Sequence, residues 1–229
     1  MINSGVHNFY QDGAIYLDAW EAGLNGTPSL HDVNIYSNWI EHAGGIAIGS
    51  ERGGIVENIN IYNNIVIDSN YAGIILHGTG SNGLRKNINI FNNTIYRSIG
   101  NGGAGIYIAT RNIENITIKN NIVDFGPKWV GQITSAYSDS SVINQITVDR
   151  NLTWGMTECS QTFPNCVELN NGTIRKDPMF VNPNGLDLRL QTNSPAINIG
   201  LTILVVDSDF NGNLRPLGAA YDLGVYEIK

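Results

Sequence analysis

The chain has 229 residues, 26 of them glycine, with 14% charged residues and a formal net charge of −7. A chain of this length fits one all-β domain. A negative balance without a basic stripe excludes a nucleic-acid backbone as partner, and no run reaches the ~18 apolar residues of a membrane span.

In chain order, the first residues carry neither a basic region nor an apolar stretch, so no secretion signal is expected in them. A glycine-led strand comes next, G-A-I-Y-L-D-A-W at 13–20, then V-N-I-Y-S-N at 33–38 and the short apolar run Trp39-Ile40. The trio returns along the chain. Glycine-led strands recur at 45–52, 73–80 and 105–112, and asparagine-ended phrases at 59–64, 88–93, 116–121 and 146–151. Alternation inside each phrase has period 2, so these are strands.

The phrases end on Asn38, Asn64, Asn93, Asn121 and Asn151, spaced 26, 29, 28 and 30 residues apart. A period in the twenties is the signature of a solenoid. Three short strands per repeat predict a three-faced parallel β-helix, whose coils bury their apolar side only by stacking. The predicted fold is all-β: a right-handed parallel β-helix of about five to six coils, with an irregular C-terminal tail packed on it. Coils occupy about 13–152 and the loop and tail 153–229 of a single domain. The leucine-rich repeat has an overlapping period, but its L-x-x-L lead and helical return limb are missing. An Asn at one angular position of each coil predicts an amide ladder along the axis.

The first coil starts near Gly13, and a solenoid end exposes strand edges. A fragment or engineered start is the expectation, against a partial coil at 1–12 or an open end that contacts another chain. Cys159 and Cys166 lie six residues apart in an irregular stretch. A small disulfide is expected there, with two free thiols as the alternative.

The I-x-I-x-N-N coils resemble the right-handed parallel β-helix superfamily of pectate-lyase-like proteins. The stretches D-P-M-F-V-N-P-N-G-L-D-L-R-L-Q-T-N-S-P-A-I-N-I-G (177–200), D-F-N-G-N-L-R-P (209–216) and Y-D-L-G-V-Y-E (221–227) resemble the C-terminal segment of secreted bacterial β-helix proteins. The resemblance implies a carbohydrate-active protein in an extracellular or periplasmic setting, acting on a polysaccharide or oligosaccharide. The chain departs from the polygalacturonase motifs N-T-D, D-D, G-H-G and R-I-K, and from the pectate-lyase motifs W-x-D-H and R-x-P-x-x-R. None of these is present, which weakens pectin as substrate.

Function is therefore read from outward positions. On the glycine-led strands, period 2 turns out Tyr16, Ala47, Ile75 and Tyr107, then Asp18, Gly49, His77 and Ala109, then Trp20, Glu51, Thr79 and Arg111. Aromatics flank small residues, and acid, base and cation converge, a mixture that suits a sugar chain. The expected enzyme acts on an acidic glycan by elimination or hydrolysis; a lyase would use His77 as base and Arg111 to neutralise the uronate. A hydrolase would use Asp18 and Glu51 as paired carboxylates. Tyr16, Trp20 and Tyr107 would hold the sugar. The alternatives are a non-catalytic carbohydrate-binding module, a structural spacer, or a merely solvated face.

On the asparagine phrases, Tyr36, Tyr62 and Phe91 are expected outward and covered by the tail, with sugar binding as the alternative. Asp207–Gly212 spells D-x-D-x-N-G, the opening of a calcium loop, but the position of the closing acid holds Gly218. A turn is expected there, with calcium as the alternative; no other metal and no cofactor is implied. Arg215, Asp222 and Glu227 are expected to form a structural ion-pair network.

Overall fold

The alternating Ile and Val positions give strands that recur in threes. The computed structural model describes residues 13–19, 30–98, 104–125, 133–155 and 167–229. The first trio is β1 (Ile15–Asp18), β2 (Leu30–Tyr36) and β3 (Trp39–Glu41); the second is β4 (Ile46–Gly49), β5 (Val56–Tyr62) and β6 (Ile65–Ile67). The third is β7 (Ile74–Leu76), β8 (Arg85–Phe91) and β9 (Thr94–Tyr96), and the fourth β10 (Ile106–Ile108), β11 (Ile113–Lys119) and β12 (Ile122–Asp124). The fifth is β13 (Ile133–Ser135), β14 (Ile146–Asp149) and β15 (Leu152–Trp154).

Each strand pairs in parallel with the strand three places on, giving three faces ordered β1-β4-β7-β10-β13, β2-β5-β8-β11-β14 and β3-β6-β9-β12-β15. The protein is a parallel β-solenoid. The chain returns to the first face four times, so it makes about four turns, fewer than the repeat count suggested. Among the described residues the next layer is partial: β16 (Val167–Glu168) joins the first face antiparallel, and β17 (Ile174–Arg175) continues in parallel on the third.

The asparagine ladder forms at the corner between the second and third faces. Asn38 Nδ2 donates to Asn64 Oδ1 at 2.8 Å, Asn64 to Asn93 at 3.0 Å, Asn93 to Asn121 at 3.0 Å and Asn121 to Asn151 at 2.9 Å. Each of these Oδ1 atoms also accepts the backbone N–H of the preceding rung. Asn64, Asn93, Asn121 and Asn151 are fully buried, so the ladder satisfies turn backbone that water cannot reach. Two more ladders flank it. Asn89, Asn60 and Asn34 are linked on the outside of the second face. Asn115, Asn87, Asn58 and Asp32 are linked at left-handed bends, a conformation Asn and Asp tolerate.

Inward positions make the main core; Ile46, Ile74, Ile106 and Ile133 of the first face are fully buried. The outward side of the third face is also apolar, and the tail covers it. Ile65, Ile67, Ile122 and Leu152 cluster with Phe180, Leu188, Leu190, Leu223 and Val225 of the tail. Side-chain amides beside the ladder fix the tail in place: Asn63 donates to Ser208 O, Asn92 to Asp222 O and Gly224 O, and Asn120 to Leu201 O.

The expectation that the second-face aromatics are shielded holds for Phe91 and in part for Tyr62, which Asp207 of the tail approaches, and is corrected for Tyr36. Phe91 is 8% exposed, but Tyr36 is 54% exposed. Tyr36 and Tyr62 stack with centroids 5.1 Å apart and planes 4° apart. Rings stacked along the axis turn their edges to solvent, so they do not offer a row of faces to a sugar.

Arg215, Asp222 and Glu227 form the expected buried network. Arg215 Nη1 reaches Glu227 Oε1 at 2.5 Å with neither side chain exposed. Asp222 accepts the N–H groups of Asn198 and Ile228. The calcium-like stretch is a turn: Asp209 accepts N–H donors from Asn211, Asn213 and Glu227. Residues 1–12 and the pair Cys159 and Cys166 lie outside the described residues.

Candidate functional site

The site is built on the first face at its junction with the loop toward the second. Register pairs Asp18 with Gly49, and the backbone continues the row, His77 N–H donating to Ile48 O and Ala109 N–H to Leu76 O. Asp18, Glu51 and His77 thus come from three successive coils.

Side-chain bonds join them. Tyr16 OH donates to Glu51 Oε1 at 2.9 Å, and Thr79 Oγ1 donates to the same oxygen at 3.3 Å. Thr79 Oγ1 also lies 3.0 Å from His77 Nδ1, and Asp18 Oδ1 accepts the backbone N–H of Glu51 at 3.0 Å. A carboxylate only accepts, and a threonine hydroxyl has one proton. With that proton on Glu51, His77 Nδ1 must carry its own and donate to Thr79. The bare ring nitrogen is then Nε2. His77 is buried, and burial pulls its pKa below the ordinary value, partly offset by Glu51 and Asp18. The ring is therefore neutral near neutral pH. Burial and the bond to Glu51 push the Tyr16 phenol well up, so it stays a donor.

Glycines let this group close up. A Cβ at Gly49 would meet Tyr16 OH at 2.5 Å, so the space over Gly49, expected to be left for a sugar, holds the Tyr16 ring. Gly80, at φ +64°, passes so near Glu51 that a Cβ would meet its carbonyl oxygen at 2.1 Å. Backbone at 80–83 thereby lies on Glu51, and Ser81 N–H donates to Glu51 O.

The other residues selected from sequence fall elsewhere. Arg111 pairs with Asp139 and lies over the Tyr137 ring, 4.2 Å from its centroid. Tyr107 is 2% exposed and packs with Ala47, Ala72, Ile75 and Ala104. Trp20 lies outside the described residues, as does most of the 20–31 loop that the sequence offers as one wall of a groove; its residues 30 and 31 already belong to β2. Among the described residues, no three or more His, Cys, Asp or Glu side chains group as metal ligands.

Arg85 is the residue that reading by outward position missed. It is fully buried, its guanidinium donates to the carbonyl of His77, and it adds to the lowering of the His77 pKa. A signal existed. Arg85 occupies a repeat position held by Leu30, Val56 and Ile113 in other coils.

No protein-family model, curated protein or solved structure matches the chain.

Proposed function

We propose that this chain is a carbohydrate-active β-helix protein that cleaves a glycan at the first face by hydrolysis, with Asp18 and Glu51 as the paired carboxylates. The observation that carries this reading is the joined group of Tyr16, Asp18, Glu51, His77 and Thr79, drawn from three coils. Among the described residues, the bonds of these acids fall on Glu51 Oε1 and Asp18 Oδ1. Hydrolysis needs one carboxyl to protonate the leaving oxygen and the other to activate water or attack the sugar. Glu51, held by two hydroxyl donors, suits the second role. Asp18 takes the first. Neutral His77, with Nε2 bare, accepts a sugar hydroxyl.

Elimination on a uronate is the second reading, and His77 could serve it as base. Its cation is the weak part, because Arg111 is already bound to Asp139. Two carboxylates at the cleavage point also repel a uronate, so a neutral sugar unit fits there better. The I-x-I-x-N-N coils and the C-terminal phrases support placing the chain among pectate-lyase-like β-helix proteins, working outside the cytoplasm.

The test is a panel of neutral and acidic glycans, assayed for new reducing ends and for the ultraviolet absorbance of unsaturated products. Hydrolysis predicts reducing ends without that absorbance, and loss of turnover in Glu51→Gln and Asp18→Asn. Absorbance lost in His77→Ala would replace hydrolysis with elimination. Binding without turnover would make the chain a carbohydrate-binding module. Neither binding nor turnover on any glycan would remove the proposal.

A further inference from the structure

The column Leu30, Val56, Arg85, Ile113 sits at one position of four successive coils, and three of its members are aliphatic. A guanidinium there replaces a rung that packing alone would fill with Leu, Val or Ile, and desolvation of a buried charge opposes folding. Among the described residues, Arg85 forms no ion pair in return. Its Nη1 donates to Asn82 Oδ1 and Gly83 O, each at 2.5 Å, its Nη2 donates to His77 O, and its Nε has no partner. These acceptors mark the two ends of one segment, 77–83. Thr79 lies between them, and Ser81 and Gly83 anchor the same segment to the backbone of Glu51 and Ser50.

We propose that Arg85 is a positioning residue: from inside the coil it fixes the backbone at His77 and at Asn82–Gly83, and so holds Thr79 between Glu51 and the His77 ring. This deepens the reading of the first face as a working site and rests on it for its purpose. The guanidinium touches no substrate. It sets which ring nitrogen of His77 carries the proton, and leaves Nε2 as the acceptor facing the reaction.

The experiment reads the His77 tautomer by imidazole nitrogen chemical shifts, in isotope-labelled full chain at neutral pH, for wild type, Arg85→Leu and Arg85→Lys. Tautomer is the chosen readout because removing a nearby cation moves a titration midpoint whatever the geometry. Wild type is expected to show one tautomer, protonated at Nδ1. R85L restores the aliphatic column but leaves the Arg85 acceptors without their donor, so the gain and the loss in stability oppose each other, and His77 in the folded variant should show both tautomers. A folded R85L that keeps the single Nδ1–H form overturns the proposal. If R85L does not fold, R85K is read by the same criterion; if neither folds, Arg85 is a structural residue and the proposal fails. On a glycan that the protein turns over, R85L should lower kcat by about tenfold or more with little change in KM. The tautomer result stands whether or not any glycan is cleaved, so failure of this proposal and failure of the hydrolase reading are separate outcomes.

Discussion

Arg215 and Asn63 meet across the seam between tail and solenoid: the guanidinium donates to the Asn63 amide oxygen at 3.3 Å, while the Asn63 amide donates back to Ser208 O at 2.7 Å. The same guanidinium is buried against Glu227. Docking of the tail therefore depends on a charge that water does not reach. Glu227→Ala should cost about 3–5 kcal/mol in urea unfolding, because it leaves that charge unpaired. Replacing both partners, R215M with E227L, should cost less than E227A alone. A double-variant loss equal to the sum of the losses in R215M and E227L alone would show the pair to be uncoupled.

Asn93→Leu removes a buried rung that serves Asn64 N–H, Ile61 O and Asn121 Oδ1 at once. A loss of about 1–3 kcal/mol is expected from the groups left unsatisfied. Asn60→Leu removes a rung of the outer ladder, where water substitutes, and should cost less than about 1 kcal/mol. Denaturant midpoints of the two variants check the contrast.

Deleting residues 177–229 should uncover Ile65, Ile67, Ile122 and Leu152 on the third face. Such a strip favours association, so the truncated chain should bind a hydrophobic dye and aggregate. Tyr36→Ser, at an exposed ring, should change stability by no more than about 0.5 kcal/mol. A truncated chain that stays dispersed and free of dye would contradict the docking on this face.

Burial pushes the Asp222 carboxyl up to about 6 from 3.8. Between about pH 4 and 6 the folded chain then holds a proton that the unfolded chain releases, so stability falls as pH rises through this window. Asp222 alone contributes a fall on the order of 2–3 kcal/mol. Asp222→Asn should flatten the slope of unfolding free energy over that range relative to wild type. Parallel slopes in the two proteins would rule the assignment out.

Regular features of the structure were readable from sequence because they repeat. Ile at every second position set the inward columns, and the spacing of Asn38, Asn64, Asn93, Asn121 and Asn151 set the ladder and register. Asp18, Glu51 and His77 were brought to one side by the same periodicity. What escaped depends on single side chains or on chain path. The Tyr16 ring runs along its strand to Glu51 and fills the space over Gly49, which counting by twos cannot show. Arg85 breaks the pattern of its column, and a search confined to outward positions passes over it. The tail lies on Ile65 and Ile122 rather than on Tyr36 because the third face is apolar on both sides, a property visible only once its strands are taken to pair.

The left-handed bends carry a consequence for how such a molecule can change. In the first three coils they fall at 32, 37 and 42, at 58, 63 and 68, and at 87, 92 and 97, five residues apart within each set. The stretch between one set and the next is unequal, running from 42 to 58 in one coil and from 68 to 87 in the following one. Two sides of the prism thus behave as a ratchet of fixed tooth, while the side bearing Glu51, His77 and Thr79 absorbs every difference in repeat length. Residues can be inserted beside the carboxylates without slipping a single rung elsewhere, so this solenoid can be re-tooled at one edge while its frame stays in step.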